Sequence, residues 1–521
     1  MGIYLNPGNR GFQFALNSEI YIDKTGMISV TNKKINSADR FICVSRPRRF
    51  GKSIAADMLT AYYTRGCDSR EMFRGLKIAV DKNFEMHLNK YNVIRLNMTE
   101  FSLFRDIKEK INEIERVLLY DLIQEFPDIN FFDKTQLIRT LKDVYIGTGI
   151  PFIFIVDEWD CIFRESQNDT EAQRVYLDFL RNLLKDQNYV SLAYMTGILP
   201  VKKYGVHSAL NMFTEVSMTN PREYAEFTGF TENEVKALCK RFNMSFEKTK
   251  HWYDGYNLKG ISIYNPRSVV MSMTGGDYDN YWAQTETYEA LKVYIQTNTY
   301  GIQDIVLMLL AGEEYQIDIT TFTNDMVTFE SADDVLTLLV HLGYLTYNVN
   351  EKTVRIPNHE IREQFISTVR IMGWNVVVEA LRNSDRLLDA TLACDEKRVA
   401  ELLETAHQEN TSILKYNDEN SLACVISLAY YSAKKIYSVY REMPAGKGFA
   451  DMVFVPRGES SAPAMIVELK CSSSPESALQ QIREKNYCDC LKDYTGEVLL
   501  IGINYDKNTK AHDCRIEKAF K

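Results

Sequence analysis

No stretch of the chain approaches the roughly 18 to 20 consecutive apolar residues that a membrane-crossing helix requires. The opening, MGIYLNPGNRGF, also lacks the basic-then-apolar layout of a secretory leader. Both absences lead us to expect a soluble, cytoplasmic protein. The ten cysteines show no CxxC spacing, which argues against a disulfide framework or a zinc ribbon and for reduced thiols packed as small hydrophobes. Cys488 and Cys490 stand too close together to form half of a usual zinc site. Internal repeats and low-complexity linkers are missing as well. Nor is there an excess of positive charge: at a net −9 the surface cannot attract nucleic acid everywhere, so any such contact must be local.

What is present is a long chain of ordinary globular balance. At roughly 100 to 200 residues per domain, 521 residues argue for about three domains. Hydrophobic residues at 45% against 25% charged exclude a disordered chain. Over 1–225 short apolar runs alternate with amphipathic helical patterns: FICVS (41–45), VIRLN (93–97), FIFIVDE (152–158), SLAYMTG (191–197) and FTEVSM (213–218). Buried parallel strands look like this, and the segment 104–125 between them has apolar residues three and four apart, as a helix does. The alternation predicts an α/β domain with a mostly parallel sheet. Over 226–400 the pattern is mainly helical, with one helix-then-hairpin stretch, DDVLTLLVHLG, YLTYNV, a turn at Asn350 to Lys352, and TVRIP. That order suits a winged-helix-like element, a shape used for DNA binding and for packing domains together. Over 401–521 the order becomes helix (418–434), strand (450–456), strand (464–470), helix (476–491) and strand (497–504), a compact α/β module.

The first apolar run leads into Ser45-Arg46-Pro47-Arg48-Arg49-Phe50-Gly51-Lys52-Ser53 and then a helical pattern. Strand, loop, Gly-Lys-Ser and helix form a P-loop layout. Backbone N–H groups of Arg48 to Ser53 and the helix N-terminus face phosphate oxygens, Lys52 reaches the β and γ phosphates, and the Ser53 hydroxyl ligates Mg²⁺. Arg46 stands where the usual string has glycine, so the first turn of the loop must be made differently. The run from Phe152 ends in Asp157 and Glu158. Asp157 would hold Mg²⁺ and Glu158 would polarise an attacking water. Thr196 sits where a polar group could sense the γ phosphate or simply satisfy a strand end. Arg222 is either a cation for the transition state or a structural arginine.

In the last region Glu468 and Lys470 are two apart on one strand, hence on one face. If that strand pairs with the one carrying Asp451, the carboxylates of Asp451 and Glu468 form a pocket for Mg²⁺ or Mn²⁺, with the Leu469 carbonyl a further candidate ligand. Lys470 would then orient water or stabilise phosphate charge beside the metal.

RPRRFGKS, YIDKTG (21–26), FIFIVDEWD, MTGILPVKKYG (195–205), FTGFTENEV (227–235), WYDGY (252–256) and IYNPRSV (263–269) together resemble the bacterial AAA-ATPase-like family. Arg46 is similar to that family's own variant of the loop. The resemblance covers nearly the whole chain and implies ATP binding with hydrolysis, and a C-terminal domain of the PD-(D/E)XK nuclease superfamily. It further implies an accessory acid at Glu419, with Glu442 its rival, and a nucleotide-proximal Gln481 with Tyr487 on the same helix. Lys434, Lys435, Arg441 and Lys447 form a modest basic group nearby. Two functions follow as expectations. One is an ATP-dependent switch governing a metal-dependent nuclease that acts on nucleic acid, DNA before RNA. The other is a nucleotide-binding interaction protein whose last domain only recognises a partner.

Overall fold

The computed structural model describes residues 2–521 apart from 202–209, 283–288, 297–298, 311, 313, 325, 372–374, 411–425, 427–428, 446–447, 458–461, 492–493, 508, 510 and 520–521. Its chain divides into two compact units, one of residues 1–302 with 316–364 and one of 303–315 with 365–521. No helix among the described residues is long and apolar enough to cross a membrane.

The first unit is built on a five-stranded parallel sheet of β1 (Phe41–Ser45), β2 (Asn92–Asn97), β3 (Phe152–Asp157), β4 (Val190–Gly197) and β5 (Thr214–Val216). The spatial order is β2-β3-β4-β1-β5, every pair parallel. The near-continuous apolar runs follow from burial on both faces. Phe41, Cys43, Leu96, Phe154 and Val156 enter one core, and Ile42, Val44, Val93, Ile153 and Ile155 the other. The helix expected over 104–125 begins at Ile107, because Asp106 caps it by accepting from the backbone N–H of Lys108 and Glu109. The last strand is shorter than expected, closing at Val216.

Helices Glu232–Phe242, Phe246–Tyr253 and Pro266–Gly275 follow, with a small antiparallel sheet of Phe230–Thr231, Ile261–Tyr264 and Tyr256–Leu258. The helix-then-hairpin pattern is realised as helix Ala332–Leu342 followed by the antiparallel strands Thr346–Asn348 and Thr353–Arg355. Gly343, which ends that helix in the left-handed region, lies so close to the phosphate loop that a Cβ there would stand 2.8 Å from Pro47 Cβ.

The second unit carries a mixed five-stranded sheet, in order Tyr437–Ala445, Gly448–Pro456, Ala464–Cys471, Val498–Tyr505 and His512–Ala519. Only the third and fourth strands run parallel, bridged by helix Pro475–Glu484. One face packs on the helices Asn375–Leu392 and Glu396–Asn410, the other on Pro475–Glu484. The expected helix over 418–434 falls mainly outside the described residues, and its end, Tyr431–Lys435, is a 3-10 turn. The helix expected to reach residue 491 stops at Glu484. Asn486 takes a left-handed backbone, φ 52°, and Tyr487 then opens a separate 3-10 turn. Tyr487 is therefore not on the helix of Gln481, as expected, but beyond its end.

Candidate nucleotide and metal sites

A parallel sheet presents the C-terminal ends of its strands along one edge, and the loops leaving that edge build the first site. The loop after β1 reaches helix Lys52–Tyr63 through Gly51, whose φ of 83° favours glycine. A Cβ on Gly51 would meet nothing within 4 Å, so the space beside it is open. Lys52 is buried, and its Nζ donates to the carbonyls of Arg46 and Pro47 at 3.1 and 3.0 Å. Burial lowers its pKa, opposed by the carboxylates of Glu158, Asp160 and Asp157. Ser53 is exposed at the helix start, and Arg48 and Arg49 are exposed on the loop. Phe50 meets the loop through its backbone, as expected of a residue offering only its N–H. Its ring is fully buried and edge-on to Tyr256, 5.2 Å between centroids, so only its backbone lines the loop.

The missing glycine has a structural answer. Arg46 is fully buried; its Nε donates to Thr228 Oγ1 at 3.0 Å, and its Nη1 to the carbonyls of Ser45 and Val216 at 2.9 and 3.4 Å. Burial pushes its pKa down to about 10, so it remains charged at neutral pH. Its side chain stitches β1 to β5 and to the loop at Thr228, and Gly229 N–H donates to the Phe50 carbonyl, fixing the far end of the same loop.

Asp157 ends β3, and β4 lies between it and β1. Thr196, at the end of β4, donates to Asp157 Oδ1. Arg95 of β2 donates from Nη2 to Asp157 Oδ2 at 3.1 Å, and the same nitrogen stands 3.2 Å from Asp57 Oδ1. Burial alone would raise the Asp157 pKa; Arg95, the hydroxyls of Thr196 and Ser53, and Lys52 outweigh it, and the net shift is downward. Lys52, Ser53, Asp157 and Thr196 are thus brought together. Glu158 lies beside them with a left-handed backbone, and its carboxylate is held by Arg164. Asp160 accepts from the N–H groups of Ile198 and Leu199 at 2.9 and 2.8 Å, tying β3 to the end of β4. Arg222 Nε donates to the Glu215 carbonyl at 3.0 Å.

The second site lies on the sheet of the second unit. Met452 pairs with Val467 in an antiparallel register, which sets Asp451 opposite Glu468. Asp451 Oδ2 accepts from Leu469 N–H at 2.7 Å. Glu468 Oε1 accepts from Lys470 Nζ at 3.2 Å and from Gln481, whose amide also reaches Tyr487 OH at 3.1 Å. Gln481 comes this near because Gly502, paired with Glu468, lets helix Pro475–Glu484 lie against the sheet; a Cβ on Gly502 would stand 2.3 Å from the Pro475 carbonyl oxygen. Glu468 is 2% exposed, and its Oε2 is buried without a hydrogen-bond partner among the described residues. Burial first, then Asp451, raises its pKa to about 7, against the opposing pull of Lys470. A carboxylate pair with an unpartnered inner oxygen fits a divalent cation. Among the described residues no group of three His, Cys, Asp or Glu side chains gathers in this way. Glu419 and Lys447 lie outside the described residues, as do the side chains of Lys434, Lys435, Arg441 and Glu442.

Arg95, Asp57, Asp160 and Arg164 were not singled out from the sequence. A lone cation in the apolar run VIRLN, and an acid one helical turn beyond Ser53, were the signals available.

Geometry of this kind defines a P-loop nucleotide domain joined to a mixed-sheet domain with a two-carboxylate site. Residues 12–207 match the family described as predicted AAA-ATPase, and residues 417–514 match the PD-(D/E)XK nuclease superfamily. The two matches fall one on each side of the chain, the first on the parallel-sheet domain and the second on the mixed-sheet domain. Over 515 residues, 94% of either chain, it is 22% identical to an uncharacterized protein of the vnfD 5' region of Azotobacter chroococcum mcd 1. Among solved structures, the ORC2 protein of Aeropyrum pernix, in ADPNP and ADP complexes, aligns over 72% of this chain and 98% of its own at 11% identity and a TM-score of 0.29.

Proposed function

We propose that the chain binds and hydrolyses ATP, and that its nucleotide state regulates a C-terminal metal-dependent nuclease acting on nucleic acid, DNA before RNA. The observation that carries the nuclease half is the buried, unpartnered Glu468 Oε2 beside Asp451. Asp451 and Glu468, with the Leu469 carbonyl, would hold Mg²⁺ or Mn²⁺, which supplies Lewis acidity for phosphodiester hydrolysis when bound. Lys470 would place its ammonium against the scissile phosphate or orient the attacking water, and Gln481 fixes the Glu468 carboxylate. In the first unit Lys52 and the loop N–H groups would hold the phosphates of ATP, and Ser53 and Asp157 would hold Mg²⁺. Thr196 would stand near the terminal phosphate, and Glu158, now held by Arg164, would orient water.

The direct test is a cleavage assay with Mg²⁺ or Mn²⁺ on single- and double-stranded DNA and RNA, with and without ATP. We expect metal-dependent cleavage whose rate changes with ATP. No cleavage of any substrate, despite ATP binding, would favour the partner-recognition reading instead.

A pH dependence follows from Glu468. Its folded pKa is raised, so its neutral form stabilises the metal-free protein below the ordinary carboxylate pKa. That contribution is lost as pH rises through about 7. Metal must displace the proton below this value, so Mn²⁺ affinity, measured without nucleotide, is expected to rise about tenfold per pH unit up to about 7 and then level. Thermal unfolding should show a larger Mn²⁺ shift at about pH 8 than at about pH 5.5, and Glu468→Gln should remove the difference. An equal shift at both values would exclude Glu468 as a ligand.

A further inference from the structure

Arg95 is the sole charged residue of β2 and pairs in register with Ile155. Core packing does not call for a cation at this position. With 14% of its side chain exposed, its guanidinium is engaged at every nitrogen. Nη2 is shared between Asp157 Oδ2 and Asp57 Oδ1, Nε stands 3.4 Å from Asp57 Oδ1, and Nη1 donates to the Leu96 carbonyl at 3.0 Å. Asp57 lies four residues beyond Ser53 on helix Lys52–Tyr63, hence one turn along the same face. One cation therefore bridges the acid at the end of β3 and a second acid on the helix that starts at the phosphate loop.

We propose that Arg95 is a counter-cation that Mg²⁺ displaces. Without metal it neutralises Asp157, and when Mg²⁺ arrives with nucleotide it passes to Asp57. The inference rests on reading Ser53 and Asp157 as the metal side of a nucleotide site. A divalent ion and a guanidinium compete for the same carboxylate oxygens, and their mutual repulsion is strong in a site shielded from water. Asp157 is almost fully buried, so leaving it bare before metal binds would be costly; Arg95 removes that cost. Expelling Arg95 with nowhere to go would be costly too. Asp57, a third exposed, is the resting place already in contact. The pair thereby sets the Mg²⁺ concentration at which nucleotide is held, and Arg95 acts as a positioning residue.

The test is binding of a fluorescent ATP analogue to the full chain, titrated with Mg²⁺ starting from EDTA, in the wild type, Arg95→Gln and Asp57→Asn. Thermal unfolding in EDTA is the second readout. Arg95→Gln is expected to lower the Mg²⁺ concentration for half-maximal binding by about tenfold, and to lower the unfolding temperature in EDTA. Asp57→Asn is expected to raise the Mg²⁺ requirement by about tenfold. Opposite signs are the signature, since residues that only held the fold would move both variants the same way. If both need more Mg²⁺, or neither moves, the proposal is overturned while wild-type binding preserves the reading of the site. If the wild type binds no analogue at any Mg²⁺ concentration, that reading and the proposal fall together. Should Arg95→Gln not fold, Asp57→Asn decides alone, and an unchanged or lowered requirement overturns the proposal.

Discussion

Replacing Lys52 by alanine is expected to weaken ATP binding by about a hundredfold or more. The Nζ sits in a cradle of two loop carbonyls, and the carboxylates of Glu158, Asp160 and Asp157 act on it electrostatically. Removing the ammonium leaves those carbonyls and acids facing an anionic triphosphate, so an attractive pocket becomes a repelling one. Lys52→Arg is expected to fail as well, because the planar guanidinium is larger than the cradle that fits a compact ammonium. Calorimetry or a fluorescent analogue measures the loss, with far-ultraviolet circular dichroism checking that the fold persists. An affinity within about threefold of the wild type would remove Lys52 from the phosphate site.

The second large effect belongs to the other unit. Asp451→Ala or Lys470→Ala is expected to reduce metal-dependent cleavage by about a thousandfold while leaving ATP affinity unchanged. Asp451 is opposite Glu468 and fixes the strand edge through Leu469 N–H, so its loss takes away both a ligand and a backbone anchor. Lys470 Nζ stands 3.2 Å from Glu468 Oε1 and would meet phosphate charge there. Lys470→Arg keeps the charge but replaces the compact ammonium by a bulkier planar group, and should recover only part of the rate. A variant that cleaves as the wild type does would show that another site performs the reaction.

Much of both sites was legible in the sequence because it is local. Strand, loop, Gly-Lys-Ser and helix are adjacent in the chain, and an apolar run ending in Asp157 announces its own geometry. The Asp451–Glu468 pair was legible for a similar reason: the two strands follow one another in the sequence, and period two puts Glu468 and Lys470 on one face. What escaped depends on sheet order and helix face. Arg95 meets Asp157 only because β2 lies beside β3, and Asp57 joins them only because the helix turns it inward. Arg46 read as a lost glycine, and its reach to Thr228 required the fold. The end of the helix before Tyr487 turns on one left-handed asparagine, a conformation that no apolar period marks.

The closeness of Gly343 to Pro47, and of Tyr256 to Phe50, means that the back wall of the phosphate loop is supplied by residues far along the chain. A fragment cut after β5 would keep every residue expected to touch nucleotide, yet leave Pro47 and the Phe50 ring bare to solvent. Such a fragment would carry an intact motif on an unsupported scaffold. Dissection of this protein should therefore cut no earlier than residue 364.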